Sequence, residues 1–145
     1  MRALGLDIGS KTIGVAISDP DRLIASARET LSRQGNKVDI ASVVTLVVDE
    51  EVGEIVVGLP LELDGAVGPR ARRVLRFVAL LQGAVSGVSH GVDVLTWDER
   101  FSTAAAERTL LAADLSRAKR KKHIDALAAQ HILQGWLDGR ERRAE

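Results

Sequence analysis

The chain has 145 residues, 46% of them hydrophobic, and it contains no cysteine, which excludes disulfides, thiolate zinc sites and cysteine nucleophiles. Because no apolar run approaches the roughly 20 residues of a membrane span and no signal peptide is apparent, we expect a soluble, cytoplasmic protein with no membrane partner. Its 20 basic and 20 acidic residues give a formal net charge of zero, so overall composition does not favour a polyanionic partner.

The first part of the chain predicts three strands and a helix. Short apolar-rich runs occupy residues 2–8 and 13–18, separated by GSKT, and a further run occupies residues 25–31. Runs of this length bounded by turn residues are typical of strands, and the short separation favours a hairpin. Apolar residues then recur at helical spacing from Asn36, which we interpret as an N-cap, to the acidic residues 49–51.

The remainder of the chain alternates strands with helices. Residues 54–58 form a continuous apolar run of the kind buried in a parallel sheet, residues 70–85 carry a helical stripe, and residues 91–97 predict a fifth strand. Two helices are expected over about 102–113 and 121–138. The order βββαβαβαα predicts an α/β fold with a mixed five-stranded sheet, its first three strands antiparallel, flanked by helices. We assign residues 1–138 to a single domain and expect residues 139–145 to form a basic, flexible tail.

Carboxylates stand at the ends of two predicted strands and on one helix face. Asp7 ends the first strand, and Asp98 and Glu99 follow the fifth, so parallel strands would bring these acids to one sheet edge. Asp125 shares a helical face with apolar residues such as Ala129, which turns it toward the sheet. A carboxylate near a core costs on the order of several kcal/mol unless it is paired, so these acids should have a partner.

Each acid also has a purely structural interpretation. Asp7 would serve as a turn former, Glu99 would pair with a surface arginine, and Asp125 would interact with the helix dipole. Three acids at one edge favour a metal site instead, because hard oxygen ligands suit Mg²⁺ or Mn²⁺. Two such ions about 3.5 to 4 Å apart activate water and stabilise the leaving oxygen in phosphodiester hydrolysis.

The zero net charge conceals an asymmetry. Residues 1–69 carry 6 basic and 11 acidic side chains, whereas residues 70–145 carry 14 basic and 9 acidic ones. The basic residues cluster over 69–76, 116–123 and 139–143. A solvated helix face would explain any single cluster, but three in one half of the chain favour nucleic acid as the partner.

Four stretches of the sequence carry a family resemblance. LGLDIGSKTIGVAISD, EIVVGLPLELDG, LTWDERFST and KKHIDALAAQHIL occur in this order over nearly the whole chain. Together they resemble the YqgF family, also called RuvX, of RNase H-like nucleases. The resemblance implies an RNase H-like fold, maturation of the 5′ end of pre-16S rRNA, and kinship with RuvC-type Holliday junction resolvases. It also implies that Asp7, Glu99 and Asp125 are the catalytic and metal-binding acids.

The substrate stays open between structured RNA and branched DNA. RuvC-type resolvases place a further acid where this chain has Ala128, which leaves three carboxylates to hold the ions. Cutting both strands of a junction requires two active sites, so branched DNA as substrate would imply a homodimer. With only two Trp and two Phe, base stacking should contribute little, which favours recognition of shape and phosphate.

Basic and hydroxyl side chains near the motifs are our candidates for contacts with nucleic acid. The set is Lys11, Thr12, Arg70, Arg100, Ser102, Thr103, Arg120, Lys121 and Lys122. The serine and threonine hydroxyls would alternatively cap helices, since no histidine is placed beside them to activate a nucleophile.

Two other functions are consistent with parts of the sequence. DIGSKTIGVAIS also resembles the first phosphate loop of actin-like ATPases and sugar kinases, but 145 residues cannot supply their second domain, so no nucleotide cofactor is expected. A non-catalytic binder of RNA or branched DNA would keep the fold and the basic residues, and activity with Mn²⁺ would distinguish it from a nuclease.

Overall fold

The computed structural model describes residues 1–101 and 117–144, with the side chains of residues 101, 117–123 and 141–144 outside the description. The helix predicted over 102–113 therefore lies outside the described residues, as do Ser102 and Thr103. In the part of the chain that is described, no helix is both long and apolar enough to cross a membrane.

The five strands form one mixed sheet in the order β3-β2-β1-β4-β5. Their bounds are β1 (Arg2–Ile8), β2 (Thr12–Ser18), β3 (Ala25–Ser32), β4 (Val52–Leu59) and β5 (Asp93–Asp98). The first three strands are antiparallel, whereas β4 and β5 run parallel to β1. The predicted mixed sheet is confirmed, and its parallel strands place the ends of β1, β4 and β5 at one edge.

The helices are α1 (Asn36–Asp49), α2 (Pro69–Val85) and α3 (Arg117–Ala144), and a 3-10 turn (Glu99–Phe101) follows β5. Asn36 is the first residue of α1, not its N-cap; the N-cap is Gly35, and no side chain caps the helix. The predicted cap is wrong because the Asn36 Oδ1 atom accepts a hydrogen bond of 2.6 Å from Arg33 Nη2 instead.

The last helix is longer at both ends than predicted. It starts at Arg117 and continues through the segment expected to be a flexible tail, as far as Ala144. Arg140, within that segment, lies 3.0 Å from the Glu54 carboxylate and 5.5 Å from the centroid of the Trp136 ring. The contact with Glu54 of β4 extends the packing of α3 beyond the last apolar residue of its sequence pattern.

The helices cover opposite faces of the sheet because side chains alternate along each strand. In β1, Leu4 and Leu6 enter the core formed with α1 and α2, whereas Ala3 belongs to the core formed with α3. A Cβ at Gly5 would lie 2.7 Å from Leu133 Cβ, so α3 packs closely over β1. Asp7 continues the odd-numbered face and is therefore on the α3 side of the sheet.

Candidate active site

Asp7 lies near the carboxyl end of β1, where a glycine of the neighbouring strand removes side-chain bulk. Asp7 pairs with Gly14 of β2 in the antiparallel register. A Cβ at Gly14 would lie 1.9 Å from the carbonyl oxygen of Asp125, a distance that no side chain tolerates. Because Gly14 has no side chain, the backbone of α3 at Asp125 can lie directly against β2, next to Asp7.

The carboxylate of Asp125 is held from β2. The Thr12 hydroxyl donates a hydrogen bond of 2.6 Å to Asp125 Oδ2. The neighbouring helical turns bury Ala128, Ala129 and Ile132, as the predicted apolar face requires. Asp125 itself is only partly buried, so its carboxylate lies where this face meets the cleft.

Glu99 reaches the same edge from β5 through the 3-10 turn. A Cβ at Gly58 would lie 2.5 Å from Glu99 Oε1 and 2.5 Å from Ile132 Cδ1. Gly58 follows Val57, which pairs with Leu6 of β1, so the Glu99 side chain crosses β4 toward the end of β1. Two glycines on two strands thus make room for two of the three acids.

A cleft of about 680 Å³ opens at this edge of the sheet. Asp7, Glu99 and Asp125 all line it, and each comes from a different element of the fold. Thr12 and Arg70, both expected to contact nucleic acid, line it as well. The predicted meeting of three carboxylates from separate parts of the sequence is therefore what the fold produces.

Part of the cleft lining is basic. Arg70, Arg73 and Arg76 of α2 line it together with Arg33, which follows β3. These three of the four arginines of α2 are exposed and have no ion pair or hydrogen bond within the described residues. Arginine side chains with free donors beside carboxylates give the cleft the charge pattern expected for binding a phosphodiester.

Arg100, predicted to contact nucleic acid, is paired with an acid in this structure. Its guanidinium forms a two-oxygen contact with Asp98, with distances of 2.7 to 3.1 Å, and donates to the Leu63 carbonyl oxygen at 3.3 Å. The hydrogen bond and charge of Arg100 hold the pKa of Asp98 below its usual range. Arg100 therefore connects the end of β5 to the loop after β4 and is not among the residues that line the cleft.

The remaining predicted contact residues are placed as follows. Lys11 is exposed in the β1–β2 turn and does not line the cleft. Arg120, Lys121 and Lys122 lie in the first turns of the described part of α3, and their side chains are outside the described set. Arg33, Arg73 and Arg76 were missed among the candidates, although Arg73 and Arg76 belong to the basic run over 69–76 that the sequence shows.

The chemistry of the cleft suits a divalent cation, but the described side chains do not form a complete coordination site. Three carboxylates supply the hard oxygen donors that Mg²⁺ and Mn²⁺ prefer. Among the described residues, however, no three acidic or histidine side chains have the geometry to hold one ion as they stand. Mg²⁺ usually takes one or two carboxylates and completes its shell with waters and substrate phosphates.

The sheet order, the helix across one face and the cleft at the carboxyl ends of the strands define an RNase H-like α/β protein. Thermus thermophilus RuvC, solved in complex with a Holliday junction substrate, matches the fold with a TM-score of 0.58, covering 97% of this chain and 96% of that chain at 11% identity. The chain belongs to the RuvX family, since the family profile, described as a Holliday junction resolvase, matches residues 1–139.

Curated relatives support the same assignment. A protein of Myxococcus xanthus is 51% identical over 95% of this chain and 88% of its own length. A protein of Clostridioides difficile is 49% identical over 94% of each. Both carry the name "Putative pre-16S rRNA nuclease". The expected RNase H-like fold and the resemblance to the YqgF/RuvX family are thus confirmed.

Proposed function

We propose that this protein is a divalent-metal-dependent endonuclease that hydrolyses phosphodiester bonds of structured nucleic acid in the cytoplasm. The observation that carries the proposal is one cleft lined both by the acids Asp7, Glu99 and Asp125 and by three arginines of α2, Arg70, Arg73 and Arg76. Carboxylates alone would repel a phosphate, and arginines alone would only bind one. A cleft that holds both, separated by elements of the fold, suits binding followed by hydrolysis.

The residues of the cleft have separate roles in this proposal. Asp7, Glu99 and Asp125 hold Mg²⁺ or Mn²⁺, most simply as a pair of ions. When bound, the ions supply an activated water and stabilise the leaving oxygen. Thr12 fixes the orientation of the Asp125 carboxylate, since its hydroxyl donates directly to Oδ2. The arginines of α2 bind and orient the backbone on either side of the reacting phosphate.

The substrate we favour is the precursor of 16S rRNA, with cleavage at its 5′ end. The names of relatives about half identical to this chain over nearly all its length support this choice. Trp97 of this chain packs against the core beneath α3, which favours a structural role for its ring over base stacking. Binding should therefore depend on backbone shape and phosphate contacts.

A second candidate is a Holliday junction resolvase. The description of the family profile and the RuvC-like fold favour it. Symmetric cutting of a junction would require two active sites and therefore a homodimer. Sedimentation of the protein with and without a synthetic four-way junction would test that requirement independently of cleavage.

The deciding experiment compares two substrates under the same salt and metal concentrations. A precursor 16S rRNA leader and a synthetic four-way DNA junction are incubated with the parent protein in Mg²⁺, in Mn²⁺ and in EDTA. Asp7→Asn, Glu99→Gln and Asp125→Asn should each abolish cleavage in the presence of metal. Asp93→Asn, which removes an exposed carboxylate at the opposite end of β5, is the matched control and should cleave like the parent.

The outcomes separate the candidates. Faster cleavage of the leader supports rRNA maturation, and faster cleavage of the junction supports the resolvase. Tight binding of either substrate with no cleavage in any metal would instead identify a non-catalytic binder. If Asp125→Asn cleaves like the parent, the proposed set of acids is wrong.

A further inference from the structure

Arg33 is held in the cleft wall by three separate parts of the chain. Its Nε donates to Asp39 Oδ2 at 2.7 Å, its Nη1 to the Gly9 carbonyl oxygen at 2.8 Å, and its Nη2 to Asn36 Oδ1 at 2.6 Å. The guanidinium also lies 5.7 Å from the centroid of the Phe77 ring on α2. The hairpin turn, α1 and α2 therefore fix one cation in one orientation.

Asp39 is the buried member of this network. Its side chain is 3% exposed, and besides Arg33 it accepts a hydrogen bond of 3.0 Å from the backbone N–H of Gln34. A buried carboxylate is costly unless it is paired and hydrogen-bonded, and here both of its oxygens have donors. The buried charge of Asp39 thus has a clear structural effect, because its contact with Nε holds Arg33 in position.

Arg33 keeps part of its guanidinium available to the cleft. A guanidinium has five N–H groups, and three of them have the acceptors named above, which leaves one on each Nη without an acceptor among the described residues. The side chain is 21% exposed and lines the same cleft as the three acids. N–H groups on both Nη atoms of an arginine can bind two oxygens of a phosphate.

The surroundings of Arg33 are also suited to an anion. α1 begins beside it at Gly35 and Asn36, which line the cleft, and no side chain caps the helix. An uncapped first turn and the positive end of the helix dipole favour an anion beside them. The N-terminus of α1 therefore adds to the positive potential of Arg33, whose position is already fixed.

We propose that Arg33 is a preorganised phosphate-binding residue for the nucleic-acid backbone next to the reacting phosphate, and that Asp39 is its positioning residue. The inference rests on the proposed nuclease function and extends it to a specific subsite. A mobile arginine loses side-chain entropy when it binds, whereas Arg33 has already lost it in the free protein. Its contact should therefore contribute more to affinity than a contact from an exposed arginine.

The test uses a charge-neutral double variant. Arg33→Gln with Asp39→Asn removes both charges, so the net charge and the long-range field stay nearly unchanged. The matched control is Arg28→Gln with Glu50→Gln, which neutralises a partly exposed ion pair of 2.9 Å outside the cleft. Binding to the rRNA leader and to the four-way junction is measured in Ca²⁺ from low to moderate salt, below the melting temperature of every variant.

The expected result is a loss of about tenfold or more in affinity for the double variant of Arg33 and Asp39. The slope of log K against log salt should also fall by about 0.7 to 0.9, the value of one phosphate contact. The control pair should match the parent in both quantities. A purely structural role predicts a lower melting temperature with unchanged affinity and slope of the folded protein, which would overturn the inference.

A second variant keeps the inference testable if the double variant does not fold. Arg33→Lys preserves the positive charge and a partner for Asp39, but an ammonium cannot bridge three acceptors and a phosphate at once. It should weaken binding, and parent-like binding by this variant would also overturn the inference. If the parent binds neither nucleic acid, the proposed function and the inference both fail. If the parent binds and the variants bind as tightly as the parent, only the inference fails.

Discussion

The Thr12 hydroxyl donates a hydrogen bond to Oδ2 of Asp125, joining residues that are 113 positions apart in the chain. Thr12 begins β2, next to the turn that follows Asp7, and Asp125 belongs to α3. The bond therefore fixes an acid on a helix relative to an acid on a strand. The contact between Thr12 and nucleic acid expected from the sequence stays a prediction, and Thr12 lines the cleft.

Replacing Thr12 tests this positioning role. Thr12→Val keeps the shape of the side chain but removes the donor, and we expect cleavage to fall about 10- to 100-fold, as is usual when the partner of a metal-binding carboxylate is lost. Thr12→Ser retains the hydroxyl and should recover most of the activity. The rise in melting temperature with Mn²⁺ should be smaller for Thr12→Val than for Thr12→Ser. Equal cleavage by the valine and serine variants would contradict the role.

Adding a methyl group at Gly58 tests how Glu99 is positioned. The Cβ of Gly58→Ala would lie 2.5 Å from Glu99 Oε1, so the carboxylate must move, and we expect cleavage to fall strongly. Overpacking against Ile132 should also cost about 1 to 3 kcal/mol in the free energy of unfolding. Both quantities are measured, by cleavage rate and by urea unfolding, at a temperature where the variant is folded.

Gly83→Ala is the control for that substitution. It adds the same methyl group in α2, where nothing lies within 4 Å of the new Cβ. Alanine in a helix interior is favoured over glycine by about 0.5 to 1 kcal/mol, so the control should be slightly more stable and cleave normally. Parent-like cleavage by Gly58→Ala would show that Glu99 does not need its present position.

The arginines of α2 should govern the salt dependence of binding. Replacing Arg70, Arg73 and Arg76 together with alanine should weaken binding and flatten the slope of log K against log salt by about two units. Arg72 is an exposed arginine of the same helix, but it does not line the cleft. Arg72→Ala should therefore have little effect on affinity or on the slope. Parallel slopes for the triple variant and the parent would remove this helix from the substrate path.

The pair of Asp98 and Arg100 should contribute stability that depends on pH. Since Arg100 lowers the pKa of Asp98 in the folded protein, the ionised pair stabilises the fold above the ordinary aspartate pKa of about 3.9. This contribution is lost as the pH falls through the lowered pKa. Arg100→Gln should therefore be less stable than the parent at pH 7, and the difference should narrow in strong acid. Urea unfolding across this range measures it, and a constant difference would contradict the assignment.

The sequence predicts the strands and the acids because each depends on local pattern. Asp7 and Asp125 were found from strand ends and helical spacing, and both line the cleft. Arg33 and Asp39 were missed because their pairing depends on where β3, the hairpin turn and α1 meet. An arginine and an aspartate six residues apart have no local signature of burial, so only the assembled fold distinguishes them from surface charges.

The predicted contact set shows the same limit. Arg100 was expected to contact nucleic acid, and in this structure the carboxylate of Asp98, two residues before it, binds its guanidinium. Spacing along a chain reports which residues are near one another, but it does not report which of several acceptors a long side chain selects. The roles proposed for Ser102 and Thr103, and for Arg120, Lys121 and Lys122, stay predictions.

The contact of Gly14 with the carbonyl oxygen of Asp125 has a consequence for how the protein tolerates mutation. At this point the depth at which the helix sits on the sheet is set by main chain meeting main chain, because no side chain lies between them. The spacing between Asp7 on β1 and Asp125 on α3 therefore depends little on side-chain substitutions elsewhere in the core. Apolar residues of the core can be substituted without changing this separation, whereas a single carbon added at Gly14 would change it directly.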